Sequence, residues 1–295
     1  MQVLANPYFK IIAAAILWGS AGAFVKVLHM SAFDLGFFRS VVPFGILAAY
    51  FAAKRINVIK KLEWTMAMAS VLNVFRIGLY FYGFLLTTIT TASILLYTWP
   101  VFVNVFAAFT LKERFNWKYY ALLSVAAMGI VLVFLGSGGQ THFHLYGMMA
   151  ILGCAIANGV MMTLFKRRAD HYSNLESVLF QNMAATLAFL PFFLHDFGNL
   201  HVFQWVFGTI YSFLVGFVAF ALYFSGLKQV PASVAAFLSY FEVLSATLMG
   251  IAFFGEIVTL PMVLGAILIV GATILMKRVI PTPLTRPAMA KLEGA

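Results

Sequence analysis

The chain has 295 residues, of which 63% are hydrophobic and only 9% charged, and its mean hydropathy is +0.97. Soluble domains are nearer half apolar and a quarter charged, so this length does not mean two soluble domains. A spanning helix needs about 20 residues, which leaves room for about ten spans and no sizeable soluble domain.

Apolar runs and their breaks predict ten spans, over 11–28, 34–52, 64–86, 88–111, 117–135, 146–165, 175–194, 205–227, 231–254 and 260–276. Lys10 precedes the first, which reads as a retained span because no small-residue cleavage site follows. The net charge of +10 would raise nucleic-acid binding in a soluble protein. Here 16 of the 19 basic residues fall before span one or after spans two, four, six, eight and ten. The loops after spans three, five, seven and nine hold none. This alternation predicts an all-α integral membrane protein with both termini in the cytoplasm. Its basic loops set topology and touch lipid headgroups, with no nucleic-acid partner. Cys154 is the one cysteine, so neither a disulfide framework nor a cysteine metal site is expected. His142, His144, His195 and His201 read as solvated loop residues, and no cofactor is expected.

An internal repeat organises the chain. Leu79-Tyr80-Phe81-Tyr82-Gly83 recurs as Leu222-Tyr223-Phe224-Ser225-Gly226, at an offset of 143. The same offset pairs Ala92 with Ala235, Leu95 with Leu238, Tyr97 with Tyr240 and Glu113 with Glu256. Gly19 pairs with Gly159 and Lys26 with Lys166 at 140. Residues 1–137 and 145–280 thus read as two five-helix repeats, followed by a cytoplasmic tail over 281–295. Five spans per half is odd, so the second half enters the membrane inverted. Inverted repeats around a midplane site are the architecture of secondary transporters.

Leu17-Trp18-Gly19-Ser20 with Lys26 resembles the opening of EamA-type proteins of the drug/metabolite transporter superfamily, and Arg39 looks like the arginine of that family's second helix. Ala92 to Glu113, with Pro100 inside, resembles its fourth helix. Ser239-Tyr240-Phe241-Glu242 followed by Gly255-Glu256 is similar to its ninth, and Gly265 and Gly271 fit its tenth. The resemblance implies ten helices and export of small metabolites such as amino acids. Val243 stands where the family usually has proline, so span nine is expected to be less kinked than span four.

A charge at the bilayer centre costs roughly 2.5–3.5 kcal/mol on insertion scales, so midplane ions need a reason. Arg76, mid-span three, and Glu242, mid-span nine, should share one depth. They read as a charge-neutralising pair or gate, or as direct substrate contacts with Arg76 taking a carboxylate. Glu242 is also a candidate for proton coupling. Asn73, Arg76, Tyr80 and Gly83 form one face of span three, and Thr90, Ser93, Tyr97, Pro100 and Asn104 one face of span four. Those faces are either a cavity wall or inter-helix hydrogen bonding. Pro100 is a candidate hinge. Trp18, Trp99, Asn158, Tyr223 and Tyr240 fall near the inner thirds of their spans and join the candidate substrate site. Met161 and Met162 are candidates for an adaptable apolar wall. Arg39 reads as a partner of Asp34 near the outer face, and Gln181 as structural.

The expectation is a secondary transporter of the cytoplasmic (inner) membrane, monomeric or weakly dimeric. It exports small metabolites by alternating access, with amino acids or related zwitterionic or aromatic compounds first. Amines, nucleosides and lipid precursors are the alternative substrates. A channel or scramblase is disfavoured by the inverted repeat. A membrane enzyme is disfavoured because the chain has no HExxH, GxSxG or Walker loop and no pair of intramembrane aspartates.

Overall fold

The computed structural model describes residues 6–58, 62–87, 89–113, 117–136, 144–255 and 257–279, and every regular element among them is helical. In the first half, α1 (Pro7–Gly19) and α2 (Ala21–Leu28) are followed by α3 (Ala32–Ala53) and α4 (Trp64–Leu86). Then come α5 (Ile89–Leu96), α6 (Trp99–Thr110) and α7 (Trp117–Gly136). The second half holds α8 (Leu145–Arg167), α9 (Asn174–Asp196) and α10 (Val202–Tyr211). A π-helical turn (Ser212–Val218) joins α10 to α11 (Ala219–Leu227), and α12 (Ala232–Leu238), α13 (Phe241–Phe254) and α14 (Leu260–Val279) complete it.

Nine segments of the described residues, from Pro7–Phe24 to Ala232–Phe254, are long and apolar enough to cross a membrane, and a shorter apolar helix, Leu260–Met276, follows them. Helix ends follow local chemistry. The first span begins at Pro7, earlier than expected, because the Asn6 side chain accepts the Tyr8 amide at 2.9 Å and proline suits the first helical position. Ser173 and Glu176 close a reciprocal capping box on α9, at 3.1 and 2.7 Å. Gly255, at φ +65°, terminates α13 in the left-handed region that glycine tolerates.

The helix contacts obey the repeat. Helix α4 packs on α8, and its counterpart α11 packs on α1. Helix α6 packs on α8 as α13 packs on α1; α4 meets α9 as the π turn meets α3. Helices α3 and α9, and likewise α7 and α14, pair with their own counterparts. Exchanging the two halves therefore reproduces these pairings, whereas the packing of α6 on α12 has no equal between α13 and α5.

Glycines set these approaches. A Cβ on Gly83 would strike Ile151 at 2.5 Å, and one on Gly226 would strike Ile11 at 2.6 Å; Ile11 and Ile151 are themselves 140 residues apart. A Cβ on Gly19 would meet Ser245 at 2.5 Å, and one on Gly159 would meet Phe102 at 2.7 Å, 143 residues earlier. Small residues let helices approach where no hydrophobic force drives them together in lipid. Repeat-related glycines thus serve repeat-related contacts.

Gly226→Val should destabilise the protein by about 1–3 kcal/mol, the usual cost of overpacking, seen as a lower unfolding midpoint in detergent. Gly45→Ala, where a Cβ meets nothing within 4 Å, should leave that midpoint unchanged or raise it.

Candidate functional site

Spans four and nine are broken at mid-length, as span one is at Ser20, and the breaks in spans four and nine organise the site. Between α5 and α6, Thr98 donates its amide to Leu95 at 3.1 Å, and Val101 donates to Thr98 at 2.9 Å. These are tightened i→i−3 bonds in place of the α pattern. The Thr98 hydroxyl also donates to the Leu95 carbonyl at 2.6 Å. Pro100 stands in the first turn of α6, where its missing N–H costs least. Span nine breaks as well, at Ser239–Tyr240, although Val243 replaces the proline. There the Ser239 hydroxyl donates to the Ala235 carbonyl at 3.0 Å, a back-bond that bends helices. Tyr240, Glu242 and Val243 each donate to a residue three back, at 3.0–3.1 Å. The expectation of a less kinked span nine is thus corrected, because serine and a tightened turn do what proline does in span four.

Helices α5 and α13 face each other across a cavity of about 520 Å³, within the range of about 300–1,000 Å³ usual for ligand pockets. Of the residues read from the sequence, Arg76, Glu242, Tyr80, Tyr97, Trp18, Trp99 and Asn158 line it. Tyr97 stands beside Glu242, which lies within electrostatic reach of Arg76 and Arg39. Ser93 and Met162 also line the wall, while Met161 is fully buried in packing. The Thr90 side chain lies outside the described residues.

Three expected residues stand behind the wall. Asn73, 1% exposed, accepts Arg76 Nε at 3.1 Å and Nη2 at 3.0 Å on its Oδ1, and donates its Nδ2 to the Gln181 carbonyl at 2.8 Å. It positions Arg76. Tyr223 is fully buried with its ring 5.0 Å from Trp18, and Tyr240 is fully buried 5.8 Å from Phe237. Gly83 and Asn104 serve packing: the Asn104 amide donates to the Pro100 carbonyl at 2.7 Å. Both were legible as polar or small, but the helical period alone does not separate a wall from the layer behind it.

Sequence reasoning placed Arg39 with Asp34 near the outer face and outside the candidate site. Arg39 instead lines the cavity, its guanidinium carbon 5.2 Å from the Phe220 ring centroid. Asp34, its expected partner, closes the start of α3 with Ser31 at 2.6 and 3.1 Å. Tyr211, just before the π turn, and Val215, within it, also line the cavity. A second cavity of about 410 Å³ lies by Phe51, Arg55, Val58 and Phe180; Arg55 and Asn57 are its polar lining residues, so it has fewer polar groups than the first.

The opposite end is shut. Glu113, just after α6, accepts the amides of Ala232 at 2.7 Å and Ser233 at 3.1 Å at the start of α12. The Tyr119 hydroxyl donates to the Ser233 carbonyl at 3.0 Å. Lys166 donates to the carbonyls of Leu227 at 2.6 Å and Lys228 at 3.1 Å, near the end of α11. A carboxylate thus sits at a helix start and an ammonium at a helix end, as the helix dipole favours. Arg168 pairs with Glu63 at 3.1 Å, and Lys10 donates to Ser225 at 2.9 Å. Lys228 donates to the Tyr172 carbonyl; burial holds its ammonium below the usual lysine range, opposed by Asp170 and Glu176. Glu256, the repeat partner of Glu113, and His142 lie outside the described residues, and His144 caps α8 by accepting the Gly147 amide at 3.3 Å.

Residues 6–135 and 145–278 each match the EamA-like transporter family. The chain belongs to that family. It is a multi-pass membrane transporter. It is 30% identical to the uncharacterized transporter YetK of Bacillus subtilis, over 65% of this chain and 61% of that one, so the match spans about three fifths of that relative. An uncharacterized transporter of Archaeoglobus fulgidus is 26% identical over 90% of this chain and 94% of its own. The pseudopaline exporter CntI of Pseudomonas aeruginosa is 26% identical over 67% of this chain and 66% of its own. A solved crystal structure shares the fold, with a TM-score of 0.79 at 17% identity over 93% of this chain and 99% of that one.

Glu113→Ala leaves two helix-start amides without their carboxylate, at a cost of about 1–3 kcal/mol if they stay buried. In a Cys154→Ser background with Ser233→Cys, this change should speed maleimide labelling of residue 233. Unchanged labelling would mean that these bonds do not hold the end shut.

Proposed function

We propose that the protein is a secondary transporter of the cytoplasmic (inner) membrane. It exports small zwitterionic metabolites, amino acids or related compounds, by alternating access. It has ten spans in two inverted repeats, residues 1–137 and 145–280, with both termini and the tail over 281–295 in the cytoplasm, and it works as a monomer. The observation that carries the reading is one cavity, lined from both halves, that holds Arg76 and Glu242 between two broken spans.

Arg76 takes the substrate carboxylate, since a guanidinium fork matches a carboxylate bidentately. Glu242 takes the ammonium, and Trp18, Tyr80, Tyr97, Trp99 and Asn158 surround the rest of the ligand. Asn73 supports this site by holding Arg76, and Tyr223 and Tyr240 support it by packing behind the wall. The basic residues gather at the shut end, so positive-inside logic makes this conformation outward-open. Helices α6 and α12 pack together there, while their repeat counterparts, α13 and α5, face the cavity. Exchanging those roles shuts the outer end and opens the inner one, with Pro100 and Ser239–Tyr240 as the bending points. Export agrees with the name of the pseudopaline exporter among the relatives.

Neutral amino acids should raise the unfolding midpoint of the purified protein by mass action. Arg76→Ala should abolish that stabilisation while the unliganded protein still purifies as a single species. Stabilisation by amines or nucleosides, with none by any amino acid, would overturn the substrate assignment.

The sequence has no Walker loop, and the proposed carrier runs on a gradient, with Glu242 exchanging the ammonium for a proton. Among the described residues Tyr97, Tyr80, Arg39 and Arg76 are titratable groups around it. In proteoliposomes a pH gradient should accelerate wild-type flux, and Glu242→Gln should remove that acceleration. Retained acceleration in the variant would assign the proton elsewhere.

A further inference from the structure

The charges that line the cavity do not balance. Among the described residues its wall carries two guanidiniums, Arg39 and Arg76, and one carboxylate, Glu242. They arrive from three places: Arg39 from α3, Arg76 from the middle of α4, and Glu242 from the first turn of α13. Glu242 is within electrostatic reach of both, but neither cation forms a close ion pair among the described residues. Arg76, 8% exposed, is held through Nε and Nη2 by Asn73, a neutral acceptor, which leaves Nη1 without a partner among the described residues. Arg39 rests on the face of Phe220, and none of its donors meets an acceptor within hydrogen-bonding distance among the described residues.

A ring face attracts the guanidinium yet leaves its in-plane N–H groups available to an oxygen. The two arginines come from different helices and have different neighbours. Arg39 is on the Phe220 side with Trp18, whose ring centroid lies 4.8 Å from that of Phe220, and Arg76 belongs to α4, which packs on α8. A neutral zwitterion that engages Arg76 and Glu242 satisfies one cation and leaves the other uncompensated in a site walled by aromatic and apolar groups. Unpaired charge at bilayer depth is costly, so a ligand that brings a second negative group has the advantage.

We propose that the preferred substrate is an amino acid with a second carboxylate, with Arg39 as the residue that selects for it. This rests on the zwitterion reading of the same site: Arg76 and Glu242 hold the carboxylate and ammonium that any amino acid offers, and Arg39 reads the side-chain acid. The ligand then carries two negative groups and one positive one, the complement of the wall.

The test compares near-isosteric pairs in proteoliposomes and in thermal unfolding: L-aspartate against L-asparagine, and L-glutamate against L-glutamine. The wild-type protein should favour the acidic member of at least one pair by about tenfold or more, the value of one well-formed charged contact. Arg39→Gln should erase that preference, and Arg39→Lys should retain part of it. Each variant is first required to match the wild-type elution profile and unliganded unfolding midpoint, and Arg39→Lys alone decides the matter if Arg39→Gln fails to fold. Transport of the amides with no preference for the acids would overturn the role of Arg39 and leave the zwitterion reading standing. An acid preference that survives in Arg39→Gln would likewise overturn that role alone. Movement of none of the four compounds would overturn the acidic preference, and the zwitterion reading would fall with it only if no other amino acid stabilises the protein either.

Discussion

Two hydrogen bonds from Arg76 to Asn73, and one from Asn73 to the Gln181 carbonyl, fix the charge about which the cavity is built. A guanidinium with free rotamers would swing toward the nearest water and lose its aim. Asn73 sits one turn before Arg76 on α4, so its Oδ1 meets two donors of the same fork. Because that Oδ1 is neutral, it orients the cation without cancelling it. Because its Nδ2 is anchored on α9, the orientation is referred to a second helix. A carboxylate at position 73 would hold Arg76 equally well, but it would leave the ligand less charge to recognise.

The repeat gives that fixed charge its second half. Glycine contacts recur across the two halves, Gly83 on Ile151 as Gly226 on Ile11, and Gly159 on Phe102 as Gly19 on Ser245. These tight contacts lie within the helix pairs that flank the cavity, so each half has a stiff frame. The broken spans escape the symmetry. Helix α6 is packed against α12, and the Glu113 carboxylate adds bonds there, while α5 and α13 are separated by the cavity. Two similar halves in unlike local states are what a two-state carrier requires, since each half must tolerate both arrangements of its own sequence.

Much of this was legible from the sequence, for identifiable reasons. Apolar runs locate the spans because bilayer thickness fixes their length, and the paired glycines surface in the repeat because close packing constrains both copies alike. Arg76 and Glu242 stand out because charge is rare in such segments. Less visible was which polar residue faces the cavity. Asn73 and Tyr80 are both on the Arg76 face, seven residues apart, yet one anchors and the other lines. Tyr223 and Tyr240 match Tyr80 and Tyr97 at the same offset, but Tyr80 and Tyr97 line the cavity while Tyr223 and Tyr240 are buried, so the repeat predicts position and misleads about exposure. Arg39 was assigned to Asp34 by proximity in sequence, and only the placement of Phe220 shows where its guanidinium rests.

The two breaks share a shape and differ in chemistry. Pro100 has no N–H, so the carbonyl one turn before it, that of Leu96, lacks that helical donor in every conformation. Span four therefore keeps a permanent weak point. Ser239 bends span nine by a hydroxyl that competes for the Ala235 carbonyl, and Val243 still has its amide. That bend is reversible, because rotating one hydroxyl and relaxing the tightened turn restores the ordinary ladder. Span nine also carries Glu242 within that turn, its amide bonded to Ser239. Straightening the span would move the carboxylate relative to Arg76, whereas bending span four would carry no charge with it. Under the proposed alternating access, the asymmetry of the breaks would couple movement to the charged site in one half and leave the other as a hinge without charge.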